Sequence, residues 1–431
     1  MNIPPKSRTK PKQNRRNLTA ILVLLLNTGL MWFGFFMLIP LLAVHITNDL
    51  LLGAGMAGLV LAIRQFVQQG LGPFAGPIAD WVGYSKMMML GNLVRALGFA
   101  WIAVATEPIG LILGGVVAAL GGACFEASGK ASLAYYSKGY NRESVFSLSI
   151  TVGNVGMALG PLVGSLLLKF NFIVVGMVSG GIYVLCFLLI LIFVPEVEKT
   201  GKAENRAKPG NIFGKLGLVW SNRPFVVVNA LLIGYYFLYV QINICLPLMA
   251  VELTGTEDSV SLIFAINSGM AILLQFFSVK LISKWLKPIS IIGIGIAFST
   301  VGLFAIAFVS NYFLLILCVA VYAFGRLLVD PMAFTLTSRY ATEDTLASFF
   351  GFSSLALAFG GMAGNLLGGW LYDTGKGIGF PVLCWMVFGA VGGVVTIGVV
   401  VFKFWEERRI AAVKVALTND ILTPTSSLEN N

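Results

Sequence analysis

This chain repeats itself at long range, and both copies are too apolar to fold in water. With an offset of 204 residues, Glu126 meets Asp330, and Gly156, Gly160 and Gly164-Ser165 meet Gly360, Gly364 and Gly368-Gly369. With an offset of 207, Pro40-Leu41-Leu42-Ala43-Val44 meets Pro247-Leu248-Met249-Ala250-Val251. Hydrophobic residues make up 57% of the 431 and charged residues 11%, where a soluble domain carries roughly 25% charged residues. A helix crossing a bilayer needs about 20 mostly apolar residues. Twelve stretches qualify, at approximately 18–45, 54–77, 87–106, 108–135, 144–168, 172–194, 224–250, 259–281, 288–309, 311–337, 345–372 and 379–404. The expected fold class is an all-α membrane protein, with twelve transmembrane helices in two pseudo-symmetric six-helix bundles. Two related bundles in one chain imply a site between them and alternating access around it.

The expected organisation is a basic, disordered tail over residues 1–17, an N-terminal bundle over 18–195, a charged linker over 196–223, a C-terminal bundle over 224–405 and a polar tail over 406–431. In the linker, Ile212-Phe213-x-x-Leu216-x-Leu218-Val219-Trp220 suits either a short amphipathic helix on the membrane surface or an ordinary helical connection. The first apolar run is too long for a signal core and lacks a clean small-x-small site after it, so it reads as a span. Two parallel halves joined by a long linker are the architecture of major facilitator proteins.

The net charge of +10 is distributed by topology. Lys6, Arg8, Lys10, Lys12, Arg15 and Arg16 precede the first span, and Lys199, Lys202, Arg206, Lys208, Lys215 and Arg223 occupy the linker. Loops on the opposite side hold only Lys169 and Lys376, with several acids. This is the positive-inside pattern, which puts both termini in the cytoplasm. The basic excess therefore points to topology and anionic lipid rather than to nucleic acid. Cys124, Cys186, Cys245, Cys318 and Cys384 form no CxxC pair, and His45 is the single histidine. Neither a metal site nor a cofactor is expected. Intramembrane hydrolysis would need acid–base sets that one surface histidine cannot supply, so no enzyme is expected. No phosphate loop is present, which argues against ATP-driven pumping. The expected partners are a small-molecule solute, protons and membrane lipid, with the chain acting as a monomer.

Six sets of residues stand out. Between spans two and three lies Gly76-Pro77-Ile78-Ala79-Asp80-Trp81-Val82-Gly83-Tyr84-Ser85-Lys86. Gly76 and Gly83 permit a tight turn. Asp80 could accept hydrogen bonds from a helix N-terminus or a basic group across the halves and so latch one conformation; a plain solvated turn is the alternative. In span five, Gly153, Gly156, Gly160-Pro161 and Gly164-Ser165 form a flat stripe that lets another backbone approach. Pro161 can kink the span. In span two, Arg64, Gln65, Gln68 and Gln69 share one face with Gly72 and Gly76. Such a face avoids lipid and belongs in the cavity or between the halves.

Glu126, with Lys130 one turn on, and Asp330, with Arg326 one turn before, are the acids inside the expected spans. A carboxylate that holds its proton when dry and releases it when wet suits proton coupling. Two structural ion pairs are the competing reading. Arg95 has no acid on its own helix and could reach Glu126. Finally, His45 is either an interfacial anchor or a proton relay. Trp32, Phe33, Phe35 and Phe36, with Tyr235, Tyr236, Phe237 and Tyr239, offer aromatic faces that suit amphipathic or cationic ligands, or simple packing.

The loop after span two resembles the major facilitator signature G-x-[LI]-A-D-R-x-G-[RK]-[RK], with Trp81 where arginine is usual and the basic pair reduced to Lys86. The span-five pattern resembles G-x-x-x-G-P-x-x-G-G of the drug–proton antiporters. The run Arg64-Gln65-Phe66-x-Gln68-Gln69-Gly70-Leu71-Gly72, with Ala356-x-Ala358-x-Gly360-Gly361 and Gly368-Gly369-Trp370-Leu371-Tyr372-Asp373, is similar to that family over most of both halves. The resemblance implies proton-driven export across a bacterial inner membrane. Where the family carries Asp and Arg in span four, this chain has Glu126 and Lys130, so the charges are preserved. Relatives with such motifs export drugs, siderophores or metabolites. The runner-up is a nutrient facilitator or symporter on the same fold, and a receptor or scaffold would not explain the buried polar groups.

Overall fold

The computed structural model describes residues 11–137, 140, 142–196, 217, 219–341 and 346–422. The first bundle contains α1 (Pro11–Val44), α2 (Gly53–Gly70), α3 (Gly72–Val82), α4 (Tyr84–Val104), α5 (Pro108–Tyr136), α6 (Arg142–Leu168) and α7 (Phe172–Phe193). The second contains α8 (Arg223–Tyr239), α9 (Cys245–Thr254), α10 (Asp258–Ile282), α11 (Pro288–Ala305), α12 (Tyr312–Tyr340), α13 (Leu346–Gly377) and α14 (Leu383–Leu422). Among the described residues, eleven spans are long and apolar enough to cross a membrane. The twelfth expected span is built from α2 and α3. Pro73 at the start of α3 breaks the helix there, and Arg64 with three glutamines makes α2 polar. Span seven is likewise interrupted, by a 3-10 turn over Val240–Asn243.

Local chemistry sets the helix ends. The Asn171 and Asn311 side chains accept the backbone N–H groups of Val174 (2.9 Å) and Leu314 (3.0 Å), the usual N-cap arrangement. Pro108 and Pro288 open α5 and α11 at positions where a missing N–H costs nothing. Gly83 separates α3 from α4 at φ 107°, a conformation that disfavours other residues.

Glycines then bring the helices into backbone contact, in the same way in each bundle. A Cβ on Gly156, Gly160 or Gly164 would fall 2.4, 2.7 or 2.3 Å from the carbonyl oxygens of Gly29, Phe33 and Met37 on α1. In the second bundle, a Cβ on Gly360 or Gly364 would fall 2.2 or 2.5 Å from those of Ile233 and Phe237 on α8, and one on Gly368 would meet Gln241. Every position here is displaced by the repeat length. Gly91 with Gly121 joins α4 to α5, and Gly295 with Gly325 joins α11 to α12. These pairs obey the same offset.

The start of α1, around Ala20 and Ile21, packs with Tyr136 and Val194 at one end of the first bundle, the tail face; the opposite end is the far face. Near the far face a single apolar core runs through both bundles, from Phe36 and Leu42 through Ala57 and Phe99 to Ile244, Phe264 and Trp385. Toward the tail face the apolar clusters separate. One belongs to the first bundle, around Leu24, Phe125 and Ile190, and others belong to the second, around Tyr235, Ile292 and Val399 and around Phe225 and Phe349. The bundles stay in touch there along the α2/α3–α13 seam, where Ser354 donates to the Gln69 carbonyl at 3.2 Å. The state is closed at the far face and divided toward the tail face.

Two expected boundaries move. Helix α1 already begins at Pro11, inside the segment expected as a disordered tail, because Lys12, Asn14, Arg15 and Arg16 tolerate helix once α1 nucleates it. Helix α14 runs to Leu422, well into the expected polar tail, whose first part, Ile410-Ala411-Ala412-Val413-Lys414-Val415-Ala416-Leu417, lacks Gly and Pro and so can continue a helix. The amphipathic segment expected over 212–220 lies mostly outside the described residues; within it, Val219 is buried and Trp220 meets Phe352 edge-on at 5.3 Å.

Candidate functional site

Toward the tail face, where the apolar clusters of the two bundles separate, two carboxylates at equivalent positions are accessible to solvent. On α5, Lys130 Nζ donates to Glu126 Oε1 at 3.0 Å, with the two side chains 71% and 42% exposed. Gln69 Nε2 approaches Glu126 Oε2 at 3.5 Å, so the polar face of α2 meets this pair. On α12, Asp330 is exposed and accepts from Tyr235 Oη at 2.8 Å. Exposure in the middle of a membrane bundle means contact with an internal aqueous cavity.

Arg326 does not form an ion pair with Asp330 among the described residues. Its Nη1 donates to Asn267 Oδ1 at 2.8 Å and its guanidinium lies 4.0 Å from the centre of the Tyr239 ring. Asn267 also approaches Met157 Sδ of the first bundle at 3.8 Å. The reading of Asp330 as half of a structural i,i+4 pair is therefore replaced by a tyrosine-held carboxylate.

The span-two residues divide. Arg64 donates to Gln65 Oε1 at 3.0 Å and to Gln68 Oε1 at 3.1 Å. Gln65 lies against Gly361 at the seam between bundles. Arg95 makes no ion pair with Glu126 among the described residues; it stacks over Phe35 and Tyr183, each with its centre 5.3 Å away. Gly156, Gly160 and Gly164 pack α6 on α1 within one bundle. The Pro161 carbonyl reaches across, accepting from Ser261 Oγ at 3.0 Å while Ser165 and Ser261 hydroxyls meet at 2.9 Å.

In the gating segment, Gly76 and Asp80 lie in α3, which is helical to Val82, so the expected turn contracts to Gly83. A Cβ there would strike Glu196. Lys86 is exposed on the first turn of α4, and the surroundings of Gly76 and the side chain of Asp80 lie outside what is described. His45 stacks on Phe172 at 3.9 Å and meets Asp49 at 2.6 Å, at the far face.

One contact was not foreseen in the sequence. Asp373, at the far end of α13, accepts from the backbone N–H of Ala54 (2.9 Å) and Gly55 (2.6 Å) at the start of α2. A carboxylate of one bundle thus caps a helix of the other. The signal was an acid directly following the last apolar turn of span eleven.

The Major Facilitator Superfamily model matches residues 24–253 and 235–419. The chain belongs to the Major Facilitator Superfamily. Within this superfamily it is 32% identical over 369 residues to the multidrug resistance protein MdtH of Photorhabdus laumondii, covering 86% of this chain and 90% of that one. It is 33% identical over 390 residues to MdtH of Cronobacter sakazakii, covering 90% and 94%. The fold is shared with the crystal structure of the nucleoside transporter NupG, at a TM-score of 0.76 and 14% identity over 89% of this chain and 98% of that one. It is also shared with a proton-dependent oligopeptide transporter, at a TM-score of 0.68 and 14% identity over 90% and 97%. The chain is a transporter of the superfamily and not an enzyme.

Proposed function

We propose that this transporter exports amphipathic organic solutes (drugs, siderophores or metabolites) in exchange for protons, by alternating access, as a monomer in a bacterial inner membrane with both termini cytoplasmic. The observation that carries this reading is the solvent-accessible acid pair at repeat-equivalent positions, Glu126 held by Lys130 and Asp330 held by Tyr235. In the closed-at-the-far-face state, each carboxylate can exchange its proton with the tail-side water. Protonating Glu126 releases Lys130 and weakens the Gln69 contact, and protonating Asp330 changes its bond to Tyr235. Both changes act where the bundles part. The names of the MdtH relatives support multidrug export, and the basic segments support a cytoplasmic tail face.

The test uses purified full-length protein in liposomes. Glu126→Gln is expected to abolish uphill transport driven by a pH gradient while keeping solute exchange at equal pH on both sides; Asp330→Asn is expected to weaken coupling. Gradient-driven transport that persists in both variants would overturn the assignment and favour the facilitator reading.

A further inference from the structure

Above the acid pair, deeper toward the far face, the first bundle holds two arginines that form no ion pair with a carboxylate among the described residues. Arg64 is 4% exposed and Arg95 5%, and neither takes part in an ion pair among the described residues. Among the described residues, Arg64 is hydrogen-bonded by the amide oxygens of Gln65 and Gln68, and Arg95 rests on aromatic faces. Both guanidiniums flank one ring, Phe35, at 4.9 and 5.3 Å from its centre, so the like charges are close neighbours. The Nε atoms of both are buried without a partner. Asn92, one turn before Arg95 on α4, is fully buried with both side-chain polar atoms unpartnered.

A buried cation without a counter-charge costs several kcal/mol, and here two stand together. Counting the charged groups around the cavity, the first bundle offers Arg64, Arg95 and Lys130 against Glu126, whose ion pair is with Lys130. The second offers Arg326 against Asp330. The surplus is positive, lies on one side and consists of N–H donors. Gly122 adjoins both side chains and the acid: a Cβ on it would sit 3.3 Å from Arg95 Cζ and 2.8 Å from the Gln68 amide, and Glu126 lies one helical turn from Gly122 toward the tail face.

We propose that Arg64 and Arg95, with Asn92, form an oxyanion subsite at the closed end of the cavity, which takes the carboxylate, phosphate or sulfonate group of an organic substrate. The solute's apolar body lies below it, between the bundles. Two forked guanidiniums give bidentate recognition of such a group, and both pack against the Phe35 ring. The chemistry selects anionic and zwitterionic solutes over purely cationic ones. This inference rests on the reading of the chain as a transporter of organic solutes.

The test is equilibrium binding to the full-length protein in lipid nanodiscs, with empty nanodiscs as blank and no pH gradient. The probes are aromatic compounds each supplied as a carboxylate, its methyl ester and the corresponding primary amine. At least one carboxylate is expected to bind about tenfold tighter than its ester and amine, equivalent to about 1.4 kcal/mol. Arg95→Gln and Arg64→Gln should remove that preference while leaving ester binding in place, which shows that the fold persists. Arg64→Lys, which keeps charge but not the fork, should keep part of it. Esters or amines that bind as well as every carboxylate would overturn the proposal. So would a preference that survives both glutamine variants. Because binding is read without a gradient, failure of proton coupling leaves this result standing, and failure here leaves proton coupling untouched.

Discussion

The contact of Asp373 with the start of α2 should hold the far face shut. Its two carboxylate oxygens take the backbone N–H groups of Ala54 and Gly55 at 2.9 and 2.6 Å, and these are among the N–H groups a helix N-terminus leaves unsatisfied. Opening the far face separates α13 from α2 and breaks both bonds. Charge-assisted hydrogen bonds and the helix dipole together put the loss at about 2 kcal/mol, even allowing for water replacing the carboxylate. That corresponds to a shift of about thirtyfold toward the far-open state in Asp373→Ala. Asp373→Asn, which keeps one acceptor and loses the charge, should shift less.

Spin labels at Phe170→Cys and Phe313→Cys, 77% and 70% exposed on opposite bundles, report the separation by double electron–electron resonance once the five native cysteines are replaced. The longer-distance population should grow in the order wild type, Asp373→Asn, Asp373→Ala. An unchanged distribution in Asp373→Ala would refute the latch.

Three further outcomes follow from the packing. Gly164→Ala and Gly364→Ala insert a methyl 2.3 and 2.5 Å from backbone oxygens and should each cost about 1–3 kcal/mol, read as a lower melting temperature. Gly181→Ala, with open space around it, should be neutral or stabilising by up to about 1 kcal/mol. A Gly164→Ala protein as stable as Gly181→Ala would contradict the interlock. Ser261→Ala removes bonds to Ser165 and Pro161 across the bundles, each worth about 1 kcal/mol. The same resonance distances should move in the direction of Asp373→Ala.

Much of the architecture was legible because membrane spans announce themselves by length and apolarity, and because the duplication left its offset in the glycines. The pairs Gly91–Gly295 and Gly121–Gly325 carry that offset too and could have been read from the sequence as close helix crossings. The partners of the site were less legible. Glu126 and Lys130 are four residues apart on one helix, so spacing alone brings them together. The same spacing places Arg326 and Asp330 on one face, yet Asp330 takes a proton donor from Tyr235 on α8 and Arg326 turns to Asn267 on α10. Both choices depend on helices whose approach no local pattern records. Asp373 carried no local sign of its role because a helix cap supplied by another bundle has no sequence spacing.

The most direct measurement loads the protein into liposomes with a pH-sensitive dye inside and follows internal pH as candidate solutes are added under an imposed gradient. The expected result is proton movement that depends on the solute and disappears in Glu126→Gln. Solute flux with no accompanying proton movement in the wild-type protein would contradict it and return Glu126 and Asp330 to structural roles.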